Sequence, residues 1–116
     1  MTKQDAVKYI NDIPRFADKT GPENTAKLME ILGNPERDAK TIHIAGTDGK
    51  GSVAKMMSLM LEETGFKTGL FVSPHLVDIS ERISINSVNI GDDDFGRIFD
   101  RQKCSFFTDG KIYQKK

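Results

Sequence analysis

Three things that this chain lacks narrow its class before any motif is considered. It has a single cysteine, no net formal charge, and no apolar run near the roughly 20 residues that span a bilayer. One cysteine cannot form an internal disulfide, so packing must stabilise the fold and a reducing cytoplasm is the expected setting. Balanced charge argues against a dedicated nucleic-acid binder, because such proteins present basic surfaces. The start also lacks the apolar centre of a signal peptide, so we expect a cytoplasmic protein with no membrane segment.

The overall amino-acid composition is that of a small globular domain. The 116 residues are 37% hydrophobic and 29% charged, with 10 glycines. The charge is unevenly placed, since residues 1–102 carry 13 basic and 16 acidic side chains while residues 103–116 carry four basic and one acidic. We therefore predict one domain over 1–102 and a separate tail over 103–116.

Hydrophobic spacing along the domain predicts an α/β fold. Apolar residues at helical spacing predict three helices, the third with a wide buried face, and short β-branched or apolar runs predict two strands. The predicted helices are 2–13, 23–32 and 51–64, the strands are 41–45 and 69–72, and a loop covers 15–22. A strand, helix and strand in this order form a βαβ unit, so the two strands should be parallel with a right-handed crossover.

Two further elements are predicted after the second strand. Alternating apolar residues over 82–85 and 88–90, on either side of Asn86-Ser87, predict a β-hairpin. Three consecutive aspartates from Asp92 are typical of the acidic first turn of another helix.

The strongest chemical signal is a glycine-rich loop between the first predicted strand and the third predicted helix. Glycines let backbone N–H groups approach a polyphosphate, and the helix N-terminus adds partial positive charge. Lys50 would place its ammonium against the β- and γ-phosphates, and Ser52 could offer its hydroxyl to phosphate or Mg²⁺. The spacing departs from a strict P-loop, because Ile44 stands where the first glycine would be. The sequence nevertheless predicts a phosphate-binding loop made of Gly46, Thr47, Asp48, Gly49, Lys50, Gly51 and Ser52.

A second signal, Ser73-Pro74-His75, follows the second predicted strand. Ligands of parallel α/β sheets bind outside the carboxyl ends of the strands, so Ser73 and the glycine loop are expected on one side. There the Ser73 hydroxyl could join a metal shell. From the residues alone, a turn that ends the strand is the simpler interpretation of Ser73-Pro74.

These motifs together resemble one family. The segments HIAGTDGKGS (43–52), FVSPHL (71–76) and SERISIN (80–86) are similar to folylpolyglutamate synthase and its bifunctional dihydrofolate synthase relatives, within the Mur ligase superfamily. The resemblance covers residues 5–100, and the tail 103–116 resembles nothing in the family. In other Mur ligases the lysine is typically followed directly by Thr or Ser, so the order Lys50-Gly51-Ser52 favours the folate branch.

The resemblance implies a truncated Mur-ligase-like ATP-binding domain, with a P-loop-type parallel sheet and flanking helices. It implies an ATP-dependent ligase that adds L-glutamate to tetrahydrofolate, or to dihydropteroate, through an acyl phosphate, with ATP and Mg²⁺ required. The full-length protein would be a monomer. By the same resemblance Lys50 is catalytic, Ser73 and Ser52 hold the metal, and His75 and Arg82 lie at the folate site.

Two departures from the family leave alternatives open. Asp48 stands where relatives usually have asparagine, which adds a negative charge beside the triphosphate. Family members are also several times longer, which predicts a truncated or frameshifted fragment that is inactive by itself. The alternatives are a Mur-type amino-acid ligase of cell-wall synthesis and a non-catalytic nucleotide-binding remnant.

Overall fold

A computed structural model of the chain describes residues 1–13 and 22–108, with side chains described up to residue 102. Four α-helices, three short strands and two 3₁₀ turns lie in these ranges. The helices are α1 (Lys3–Asn11), α2 (Pro22–Ile31), α3 (Lys50–Glu63) and α4 (Asp92–Thr108); the strands are β1 (Gly69–Phe71), β2 (Ile83–Ile85) and β3 (Val88–Asn89); the turns are Pro35–Arg37 and Ile79–Arg82. The four predicted helices are therefore present, within a residue or two at most ends. The predicted loop at 15–22 lies almost wholly outside the described residues, as does 109–116 of the predicted tail.

The chain divides into two compact units, one formed by 1–41 with 96–116 and the other by 42–95. In the first unit α1 begins with a capping box, in which the Thr2 side chain accepts from the Asp5 N–H and the Asp5 carboxylate accepts from the Thr2 N–H. The ring of Tyr9 meets the edge of Phe99 at 5.6 Å between centroids. Gly96 lies against the Met1 backbone, so α1 and α4 approach each other closely at a residue without a side chain.

The second unit is built on a three-stranded antiparallel sheet in the order β1-β2-β3. Leu70 pairs with Ser84 across β1 and β2, and Ile85 pairs with Val88 across β2 and β3. The predicted hairpin is correct: Asn86 and Ser87 both have positive φ, 47° and 63°, as a two-residue hairpin turn of the I′ class requires. The Ser87 hydroxyl donates to both carboxylate oxygens of Glu62 on α3, at 2.9 and 3.0 Å.

The predicted parallel pairing of 41–45 with 69–72 is not present in this structure. The second predicted strand forms as β1, but it pairs antiparallel with β2. Residues 41–45 belong to no strand of the described chain, and Ile42 is 58% exposed. The physical reason is that a strand forms only where a neighbouring strand completes its hydrogen bonds. In the described residues β1 is an edge strand that bonds to β2 alone, so 41–45 has no strand beside it.

The wide apolar face predicted for α3 forms, but it is not buried. Among its residues Met56 is 55% exposed and Met60 is 68% exposed. Three strands of two or three residues each offer too little surface to cover a helix of 14 residues. No helix within the described ranges combines the length and apolarity that crossing a membrane demands.

Candidate functional site

All predicted site residues lie in the second unit, and the glycine loop leads into α3. The helix starts at Lys50, and its N-cap, Gly49, has a φ of 74° in the left-handed region. Gly46 has a φ of 154°, which also favours glycine. The Val53 N–H donates to the Gly49 carbonyl at 3.0 Å, so the three preceding N–H groups of the helix have no intrahelical partner. The loop thus presents the open N-terminus of a 14-residue helix.

Lys50 folds back across this loop. Its Nζ donates to the Gly46 carbonyl at 2.6 Å and to the Thr47 carbonyl at 3.1 Å. An ammonium has three N–H donors, and these two bonds hold it above the loop backbone with one donor left over. The positive charge of Lys50 and the positive end of α3 therefore face the same small volume.

The remaining loop residues set the charge of the site. Asp48 and Ser52 are exposed, and with one lysine and one aspartate the residues 46–52 carry no net charge. No three His, Cys, Asp or Glu side chains gather into a metal-binding group anywhere in the part of the chain whose side chains are described. The hydroxyl oxygens of Ser52 and Ser73 are of the type that Mg²⁺ accepts when phosphates and water supply its other ligands.

The two residues predicted for the folate site are in direct contact. Arg82 Nε donates to His75 Nδ1 at 2.8 Å, and both side chains are half-buried. Since Nδ1 accepts this bond, the ring proton of His75 resides on Nε2. The described contacts do not connect this pair to Lys50, so the predicted residues fall into two groups within one unit.

The stretch before the Ile79–Arg82 turn is held by Glu81, a residue that the sequence analysis missed. Its carboxylate accepts three backbone N–H groups, from Leu76 at 2.9 Å, Val77 at 2.9 Å and Asp78 at 2.7 Å. These bonds hold the pKa of Glu81 below its ordinary value of 4.5, and the bond from Leu76 lowers it most, ahead of those from Asp78 and Val77. The signal that could have found it is Asp78 followed three residues later by Glu81, the spacing of a capping box.

No model of a protein family matches the chain. Individual proteins do match: the Bacillus subtilis dihydrofolate synthase/folylpolyglutamate synthase is 37% identical over 100 residues, which are 86% of this chain and 23% of that protein. The matched stretch therefore spans 23% of the length of that relative and 11–22% of the length of three others.

Solved structures agree with the sequence comparison. The folylpolyglutamate synthetase from Lactobacillus casei superposes with a TM-score of 0.83 at 32% identity, over 91% of this chain and 26% of that one. A structure described as an FPGS-AMPPCP-folate complex gives a TM-score of 0.87 at 28% identity, over 99% of this chain and 29% of that one. The α/β fold of the chain is thus the fold of the matching part of these solved structures.

Proposed function

Because this chain belongs to the folylpolyglutamate synthase/dihydrofolate synthase family, we propose that it supplies the ATP phosphate loop of a ligase that joins L-glutamate to folates. The observation that carries the proposal is Lys50, whose ammonium lies over the loop at the open N-terminus of α3. A solved relative is described as a complex with AMPPCP, an ATP analogue, and folate. The Mur-type alternative of cell-wall synthesis draws no support from the matched relatives.

The chemistry proposed is the formation and breakdown of an acyl phosphate. An oxygen of the substrate carboxylate attacks the γ-phosphorus of ATP, and ADP leaves with the electron pair of the broken bond. The amino group of glutamate then attacks the activated carbonyl, loses a proton and displaces inorganic phosphate. The substrate is tetrahydrofolate for polyglutamate extension, or dihydropteroate for dihydrofolate synthesis.

Lys50 is the catalytic residue of this proposal. Negative charge develops on the transferred phosphoryl group and on the leaving ADP, and a fixed cation at the γ-phosphate stabilises both. The backbone N–H groups that begin α3 would hold the phosphate oxygens, since these groups have no partner within the helix. Glycines at 46 and 49 keep the backbone in conformations that other residues rarely adopt.

The loop requires a second source of positive charge. Its own lysine and aspartate cancel, whereas a triphosphate is strongly anionic. Ser52 and Ser73 would hold a magnesium ion together with phosphate oxygens and water, and that ion would neutralise charge on the nucleotide. We further propose that the complete protein is a cytoplasmic monomer in which residues 41–45 pair parallel with β1.

The test of this proposal is ATP binding by the chain itself. Titrating the ¹⁵N-labelled chain with ATP and Mg²⁺ should shift the amide signals of Lys50, Gly51 and Ser52 in a saturable manner. Lys50→Ala should weaken the binding by about one to two orders of magnitude, because a charge-assisted contact is lost. Lys67→Ala, which removes an exposed lysine of the same unit, is the matched control and should bind as the parent does. Equal binding by both variants would refute the role of Lys50.

A further inference from the structure

The carboxylate of Glu81 holds a backbone segment that receives almost no support from side-chain packing. Leu76 and Val77 are 92% and 90% exposed, so their side chains contribute almost no packing. Yet their N–H groups, together with that of Asp78, all donate to one carboxylate at 2.7–2.9 Å. Three charge-assisted bonds converge on this stretch, and they are what gives it a defined course.

The stretch that Glu81 holds connects the two partners of the half-buried pair. His75 immediately precedes Leu76, and Arg82 immediately follows Glu81 along the chain. The Val72 N–H also donates to the Arg82 carbonyl at 3.0 Å, which closes the base of the segment. A shift of the 76–78 backbone would therefore move the His75 ring relative to Arg82.

We infer that Glu81 is the positioning residue of the His75–Arg82 pair. By holding the N–H groups of 76–78, its carboxylate keeps the imidazole where Nδ1 accepts from Arg82 and where Nε2 carries the ring proton. The consequence of this positioning for folate ligation rests on the proposed function, whereas the positioning of the His75–Arg82 pair does not.

Glu81→Gln is the decisive variant, because it preserves the shape of the side chain and removes one of the two acceptor oxygens. The amide group cannot accept all three N–H groups, so at least one bond must break. Amide hydrogen exchange in 76–78 should accelerate by about tenfold at constant pH. Glu63→Gln is the matched control, since Glu63 is an exposed carboxylate of the same unit, and exchange in 76–78 should not change.

The readout that separates positioning from mere local stability is the ¹⁵N signal of His75 Nδ1 at one fixed pH. Arg82→Met removes every donor of this side chain and keeps much of its length, so it gives the signal of an unpaired Nδ1. Glu81→Gln should move the His75 signal toward that value, while His43, the other histidine of the chain, serves as an internal reference. Faster exchange in 76–78 with an unmoved His75 signal would overturn the inference.

A second variant covers the case in which Glu81→Gln does not fold. Glu81→Asp keeps the charge and both oxygens but is one methylene shorter, so it cannot reach all three N–H groups, and it should move the His75 signal in the same direction. An unchanged signal in the folded Glu81→Asp chain would refute positioning. All of these spectra are recorded without ligand, so a failure of ATP to bind at Lys50 would count against the proposed function alone.

Discussion

Gly51→Ala should raise stability and lower ATP binding, and these opposite signs make it the sharpest test of the glycine loop. Gly51 is the second residue of α3, its φ is not in the left-handed region, and a methyl group built on it meets nothing within 4 Å. Alanine is favoured over glycine inside a helix by roughly 0.5–1 kcal/mol, and a first-turn position should give the lower value. About 0.5 kcal/mol corresponds to an increase in Tm of roughly 2–4 °C for a domain of this size.

The same methyl group would lie on the backbone that is proposed to touch phosphate. Pushing the phosphate out of reach of even one N–H group removes a charge-assisted hydrogen bond, which corresponds to about a tenfold loss of affinity or more. Thermal unfolding followed by circular dichroism measures the first effect, and calorimetric titration with ATP and Mg²⁺ measures the second.

Gly65→Ala is the control with the reverse pattern. Gly65 follows the other end of α3 and has a φ of 92°, where a side chain costs roughly 1–2 kcal/mol. This variant should melt earlier and bind ATP as the parent does. If Gly51→Ala binds ATP with unchanged affinity, the nucleotide does not contact this backbone and the argument from the loop is refuted.

Three further predictions concern charge and packing. Asp48→Asn should leave ATP affinity unchanged or tighter in calorimetric titration, because it removes a negative charge from the loop; weaker binding would contradict this. Gly96→Ala should destabilise the first unit by roughly 1–3 kcal/mol in denaturant unfolding, because its methyl group would overlap the Met1 carbonyl oxygen; an unchanged midpoint would show that α1 does not pack there. The folded pKa of Glu81 lies below its unfolded value, so its hold on the backbone is complete above about pH 4.5 and is lost as the pH falls through the folded pKa. A pH titration of the Leu76 amide signal should show this midpoint below 4.5, and a midpoint at or above 4.5 would be contrary evidence.

The local parts of the fold could be predicted from the sequence, and the non-local pairing could not. The start of α4 at three consecutive aspartates from Asp92, and the turn at Asn86 and Ser87, each depend on residues within a few positions of one another, and both are present. The partner of β1 depends on which strand lies beside it in space. A three-residue apolar run carries no record of that choice, and eleven residues separate β1 from the hairpin strand that it pairs with. Parallel pairing with 41–45 is therefore not confirmed by this structure, although the run itself has the composition of a strand.

The candidate site shows the same division. The glycine loop at the start of a predicted helix could be identified because its phosphate chemistry depends on consecutive residues, and the structure starts α3 at Lys50. The contact of Arg82 with His75 could not be derived from spacing, because the six residues between them, 76–81, form no α-helix or strand that would fix the distance between the two side chains. The roles assigned to Lys50, Ser73 and Ser52 stay predictions until ligand binding is measured.

The turn of the hairpin is hydrogen-bonded to α3 at two positions along the helix. Ser87 accepts from Lys55 Nζ at 3.4 Å and donates to Glu62, and these two helix residues are seven positions apart. Seven residues make nearly two full turns, so both anchors lie along one line of the helix surface. The helix can neither roll about its axis nor slide along it without breaking one of them. A tilt of α3 at its Lys50 end must therefore move the hairpin as well.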